Sequence, residues 1–424
     1  LPVNWLYRKG YVNPATGQFG VGSRHSSTET ITTGWWVDFS NFFQGVGTLG
    51  GGDVTLTAGN NVSNVDAVAA TNARMPKGPI DASKLLELGG GNVTVTAGNN
   101  IDGGVYYVER GEGSLSAGNQ ILTNATRSAL SQGNIDSNLV SPYTQLPTTL
   151  FLGKGSFDVS ANGDLLIGPV ANVFHLPQGF GNSIWYKTYF STYSTSNSVD
   201  ITSYGGDVTI RTAGTQSGSG GSGSLLQFWL ENKLLTTSTT GSLKPWLRLV
   251  ETNVTPFATF TNIFPGSLRA NAFSGDVNVV GNITLAPSST GTLEILADGS
   301  INALQPNGIS STVNGPITTW GSSTINVSDA NPAAIPGVTS PFAYQTLVGT
   351  TNAASTTNTS TPTFLEFVNR LFRESGATLG QVLETKQTLH AAGLLHRDDT
   401  EPLLLYANNG DISGLTLFSP KSSV

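Results

Sequence analysis

The feature that most constrains this chain is a turn-and-strand phrase that occurs twice almost unchanged. Gly52-Asp53-Val54-Thr55-Leu56-Thr57-Ala58-Gly59-Asn60-Asn61-Val62 returns as Gly91-Asn92-Val93-Thr94-Val95-Thr96-Ala97-Gly98-Asn99-Asn100-Ile101. A shorter version follows, Gly113-Ser114-Leu115-Ser116-Ala117-Gly118-Asn119-Gln120-Ile121. From Gly59 to Gly98 is 39 residues and from Gly98 to Gly118 is 20, so the unit is near 20 and one spacing is doubled. Weaker copies open at Gly155, Gly206, Gly275, Gly291 and Gly410, and their irregular intervals imply insertions between units.

Each unit has one physical reading. Val54, Leu56 and Ala58 alternate with Thr55 and Thr57, the period-2 pattern of a half-buried strand rich in β-branched residues. Gly and Asn on either side supply turn residues that tolerate positive φ. One such unit cannot bury its apolar face alone. Copies stacked about 4.8 Å apart complete both the hydrogen-bond ladder and the core. The expected fold is therefore all-β, a right-handed parallel β-helix with loop insertions and a small helical insert. A β-sandwich would explain strands and turns but not a repeated turn sequence.

Composition narrows the function classes. With 51 Gly in 424 residues and 11% charged residues, the chain is far from the roughly 25% charge of an average domain, and a helical bundle is excluded. A net charge of −7 argues against a nucleic-acid partner. Absence of Cys removes disulfides, thiolate metal sites and a cysteine nucleophile. No run of 18 apolar residues occurs, so the chain is not expected to span a membrane. It starts at Leu1 without a signal-like segment and reads as a piece of a longer chain.

Three stretches depart from the repeat. Residues 185–204 form an aromatic excursion in which Trp185, Tyr186, Tyr189, Phe190 and Tyr193 are candidate partner contacts. Residues 215–224 read as a Gly/Ser linker, and 350–361 as a Thr/Ser/Asn/Ala-rich loop. Residues 362–397 carry helical apolar spacing after two capping boxes, Thr363 with Glu366 and Thr378 with Gln381, and predict an αα-hairpin. The expected organisation is a shaft over 1–361, the hairpin insert, and a further coil over 398–424.

No constellation of catalytic residues stands out. Gly45–Gly50 and Gly218–Gly223 have dinucleotide-loop spacing, but the first runs into a strand and the second lies in the Gly/Ser stretch. His25, His175, His390 and His396 lack metal-ligand spacing, and neither a GxSxG elbow nor a calcium-binding nonapeptide is present. Asp398, Asp399 and Glu401 form the one tight acidic cluster, and glycoside chemistry needs two carboxylates across a sugar. Adjacent strand residues point to opposite faces, which works against Asp398 with Asp399. Asp53, Asp207, Asp276 and Asp411 sit at strand-opening turns, where Asp is expected for local hydrogen bonding. Sequons such as those at Asn61, Asn92 and Asn282 fall within or beside repeat strands and reflect composition.

The phrase at 51–62, its copy at 90–101 and the final stretch Leu405–Lys421 resemble the coils of filamentous haemagglutinin-like exoproteins, large bacterial surface proteins exported by two-partner secretion. The resemblance implies a right-handed parallel β-helical shaft, an extracellular or cell-surface location at the outer membrane, and roles in adhesion, aggregation or fibre formation. It implies as partners cell-surface receptors or glycans, and an outer-membrane transporter during export. The family's amino-terminal secretion domain is not visible. The expected protein is a structural adhesin segment with no enzymatic activity, no cofactor and no metal, able to self-associate through coil ends. The alternative is a carbohydrate-active β-helix lyase or hydrolase using Asp398, Asp399 or Glu401.

Overall fold

The computed structural model describes residues 7–12, 19–21, 32–37, 45–48, 50–75, 82–122, 148–173, 189–215, 222–224, 263–313, 315–334 and 395–419. These residues are almost entirely β, and most strands pair in parallel. An eight-stranded sheet, here sheet 1, runs in sequence order from Val54–Ala58 through Val93–Ala97, Glu112–Ala117, Ser156–Ala161, Ser198–Ser203, Ser267–Ala272 and Leu293–Ala297 to Leu404–Ala407. After each of these strands the chain turns into sheet 2. Its parallel run stacks Val62–Ser63, Ile101–Asp102, Ile121–Leu122, Leu165–Ile167, Val208–Arg211, Val277–Val280, the start of Ile301–Thr312, and Ile412–Ser413. Early passes then enter a five-stranded parallel sheet, sheet 3, made of Gly45–Thr48, Asp66–Ala69, Val105–Val108, Thr149–Leu152 and Val170–Ala171. Later passes place Ile263–Phe264, Ile283–Leu285, the end of Gly315–Val327 and Leu415–Phe418 in a further parallel run.

Pairing keeps equivalent repeat residues in register. Ala58, Ala97, Ala117, Ala161, Ser203, Ala272, Ala297 and Ala407 succeed one another across sheet 1. Leu56, Val95, Leu115, Val159, Ile201, Ala270, Ile295 and Leu405 do the same two positions earlier, and both rows line the shared core. The polar exception, Ser203, is buried with its hydroxyl donating to the Gly163 carbonyl at 2.8 Å and accepting the Gly206 N–H at 3.0 Å. Phe157 is accommodated because its rung neighbour is Gly113, where an added Cβ would stand 2.1 Å from the ring. Strand burial alternates, as in Leu293–Ala297, because one face meets the core and one meets solvent. Sheet 3 differs: Val105–Val108 and Thr149–Leu152 are buried on both faces, as their near-continuous apolar sequences require.

Asp and Asn side chains at the turns tie one pass to the next. Before sheet 1, Asp53 Oδ1 accepts the Asn92 N–H at 2.8 Å, and Asn92 Oδ1 accepts the Glu112 N–H at 2.9 Å. Before sheet 2, Asn61 accepts from Asn100, Asn100 from Gln120, Asp164 from Asp207, Asp207 from Asp276, and Asp276 from Ser300, all at 2.7–3.1 Å. The turn carboxylates thus answer orphan backbone donors, but where the sequence led one to expect local bonds, Asp53, Asp207 and Asp276 accept from residues 39, 69 and 24 positions further on. Asp411 differs in role, donating its own N–H to Ser300 Oγ at 3.1 Å.

Two excursions depart from the repeat reading of 1–361. The doubled spacing between Gly59 and Gly98 is filled by Thr71–Met75 and Leu86–Gly89, which join Tyr7–Val12, Phe19–Val21 and Thr32–Val37 in an antiparallel sheet. Between Ile301 and Val327 a long antiparallel hairpin leaves the parallel run and returns. Neither excursion carries the repeat phrase, so period alone could not reveal them. The supposed linker at 215–224 is pinned at its ends, since Ala213–Thr215 pairs antiparallel with Ser222–Ser224. The predicted αα-hairpin at 362–397 lies outside the described residues except for 395–397, and Leu404–Ala407, Ile412–Ser413 and Leu415–Phe418 each pair in parallel with an earlier strand.

Candidate functional site

The acidic cluster at 398–401 divides between different neighbours. Asp399 Oδ2 lies 3.0 Å from His396 Nδ1, with both side chains largely buried, and Asp399 Oδ1 accepts the Glu401 N–H at 3.0 Å. Asp398 and Glu401 are exposed. Glu401 instead helps hold the Arg269 guanidinium in its charged form. No group of three or more His, Asp or Glu side chains is placed to hold a metal ion among the described residues.

Stacking creates a charged row that linear spacing hides. Asp158, Asp200, Arg269 and Glu294 occupy one outward position on four successive rungs of sheet 1. Arg269 Nη1 donates to Asp200 Oδ1 at 2.9 Å, and its Nε lies 3.9 Å from Glu294 Oε2. The hydrogen bond to Asp200 is the main reason the guanidinium pKa is raised. Partial burial, then the neighbouring Asp200 charge, push the Asp158 carboxyl upward. The residues are 42, 69 and 25 apart in sequence, and only a common place in the repeat could have linked them.

A second site lies on the covered outer face of sheet 3. Glu109 continues that face two residues after Tyr107, and both are fully buried. Tyr107 Oη is 2.5 Å from Glu109 Oε2, while Oε1 finds no hydrogen-bond partner among the described residues. The carboxyl fits because the following pass offers Gly153, where a Cβ would stand 2.3 Å from either oxygen. Around it, Lys154 Nζ reaches Glu87 Oε1 at 2.9 Å, and Arg110 Nε donates to Thr71 Oγ1 at 3.3 Å. Burial dominates and pushes the Glu109 pKa up to about 8, against lowering by the Tyr107 hydroxyl and the Lys154 charge. This side chain is a neutral acid at pH 7, able to give or take one proton without leaving the core. Sequence reading overlooked it; the signal was the apolar run Val105–Val108, which buries both faces and therefore the next residue too.

The aromatic excursion divides. Phe190 is fully buried, and Tyr193 packs on the core with its hydroxyl donating to the Ile263 carbonyl at 2.9 Å, so burial raises its pKa. Tyr189 opens a short 3-10 helix, Tyr189–Ser191. Trp185 and Tyr186 lie outside the described residues. At the end of the stretch Tyr204 is 55% exposed and meets Phe273, 56% exposed, with ring centroids 6.0 Å apart.

Other sequence candidates find local explanations. Gly45–Thr48 is a strand paired with Asp66–Ala69, not a phosphate loop before a helix. The sequon residues Asn61, Asn92 and Asn282 each use Oδ1 to accept a backbone N–H from another pass. No helix among the described residues is long and apolar enough to cross a membrane. No family model, curated protein or solved structure matches this chain.

Proposed function

We infer that the chain is a right-handed parallel β-helical shaft, a secreted or cell-surface structural segment of the filamentous adhesin type, without catalytic activity. The observation that carries this reading is the register: the same repeat residues stack across eight strands of sheet 1, and turn side chains bond each pass to the next. Right-handedness follows from the rule that parallel strands joined by a crossover connect in that sense. A stack of this kind resists bending and offers its corners and insertions as display points. Low charge fits the same reading, because in-register strands set like charges in rows.

Beads coated with the chain are expected to adhere to epithelial cells or to bacteria displaying the same chain, and to release no sugar from polysaccharides. Beads that bind neither would overturn the adhesive reading. Release of reducing ends that disappears in a Glu401→Gln or an Asp399→Asn variant would replace it with the carbohydrate-active alternative.

A further inference from the structure

We propose that Tyr204 and Phe273 form a stacking platform for a neutral glycan at one corner of the parallel stack. The corner position that follows each sheet 1 strand is occupied in turn by Gly59, Gly98, Gly118, Asn162, Tyr204, Phe273, Asp298 and Asn408, each after the first donating its N–H to a carbonyl of the preceding strand. Small or polar residues fill this solvent-facing corner except at two adjacent rungs. There the two rings meet with centroids 6.0 Å apart and planes tilted by 32°, and each residue is more than half exposed. They expose apolar area that the stack does not need, since glycine serves at three other rungs and Asn162 and Asp298 at the adjoining ones.

The surroundings select the ligand. Below Tyr204, Asn162 donates its amide to the Gly118 carbonyl at 2.9 Å, which fixes the side chain and leaves its oxygen as an acceptor. Above Phe273, Asp298 Oδ1 is held by the Asn408 and Asn409 amides, each at 2.9 Å, while Oδ2 accepts no bond from the described residues. Two aromatic faces bracketed by fixed acceptors suit a molecule with flat C–H faces and hydroxyl donors at its rim. That is the chemistry of equatorially substituted pyranoses. Rings on adjacent rungs, with centroids 6.0 Å apart, let neighbouring sugars of a chain lie along the stack. Asp298 and a net charge of −7 disfavour acidic sugars. A convex corner binds one chain weakly, so many copies on a surface gain by avidity.

The site draws only its biological setting from the adhesive reading, and its test uses the soluble chain. In native affinity electrophoresis, hydroxyethyl cellulose or glycol chitin in the gel is expected to retard the protein. Tyr204→Ala with Phe273→Ala should weaken that retardation at least tenfold, and Tyr204→Phe should preserve it. Circular dichroism should be unchanged, since both rings are exposed. No retardation of the wild type by either polymer, full retardation of the double variant, or equal retardation by alginate would each overturn the proposal. Binding of a proline-rich peptide through the same two rings in place of either polymer would assign the platform to a protein partner and overturn it too. Polymer binding together with coated beads that ignore cells would strike the adhesive reading alone.

Discussion

Glu109→Gln isolates the one buried proton on the outer face of sheet 3. In the unfolded chain this carboxyl has an ordinary pKa near 4.5, and in the folded protein burial lifts it to about 8. Between those values the folded state holds a proton that the unfolded state has released. Stability from this group is therefore complete below pH 4.5 and is lost as pH rises toward 8. The full difference corresponds to about 5 kcal/mol at 1.36 kcal/mol per pKa unit, of which roughly half falls between pH 5 and pH 7. Burial sets the direction: Tyr107, Lys154 and Arg110 favour the ion, Glu87 opposes it, and burial outweighs them all. The assay is amide hydrogen exchange in Val105–Val108 and Thr149–Leu152, corrected for the intrinsic pH dependence of exchange. Wild-type protection there should fall by roughly 50-fold or more from pH 5 to pH 7, following from that free energy. Glu109→Gln keeps the shape and the bond to Tyr107 without the charge, so its protection should stay flat. Parallel pH profiles in the two proteins would refute the reasoning.

Other consequences are equally direct. Gly113→Ala should destabilise by about 1–3 kcal/mol through collision with the Phe157 ring, and Phe157→Leu added to it should recover most of that loss in denaturant titrations. Additive losses would show that the two positions do not share space. Asp207→Ala removes the acceptor of the Asp276 N–H and should cost about 1 kcal/mol, seen as faster exchange of that amide, whereas Asp207→Asn should behave as wild type. Asp200→Asn should shift the titration of Asp158 downward without restoring an ordinary value, because burial is the larger cause of its elevation; carboxyl carbon NMR reads this directly.

What the sequence made legible was the part of the fold that repeats. Alternation in Val54, Leu56 and Ala58, with Gly and Asn at the corners, is enough to place the sheet 1 strands and the turns into sheet 2. What it concealed depends on register across insertions. Asp158 meets Asp200 and Arg269 only because 42 and then 69 residues of chain intervene before the same repeat position returns. The antiparallel excursions at 71–89 and 301–327 use ordinary strand sequences that no period announces. Glu109 was hidden for a different reason: whether an outer face is covered is decided by distant segments. The acidic cluster at 398–401 was conspicuous as a string, yet its members turn to different neighbours, His396 for Asp399 and Arg269 for Glu401.

The turn ladder also gives the molecule a direction in time. Asp53, Asn92, Asn61, Asn100, Asp164, Asp207 and Asp276 each wait for a backbone N–H that belongs to a later part of the chain. Each pass leaves behind a row of acceptors already set at the spacing its successor requires. The finished part is then a template, and each added pass docks on its immediate neighbour instead of searching the whole chain. A pass added on the carboxy-terminal side therefore meets side-chain acceptors already in place.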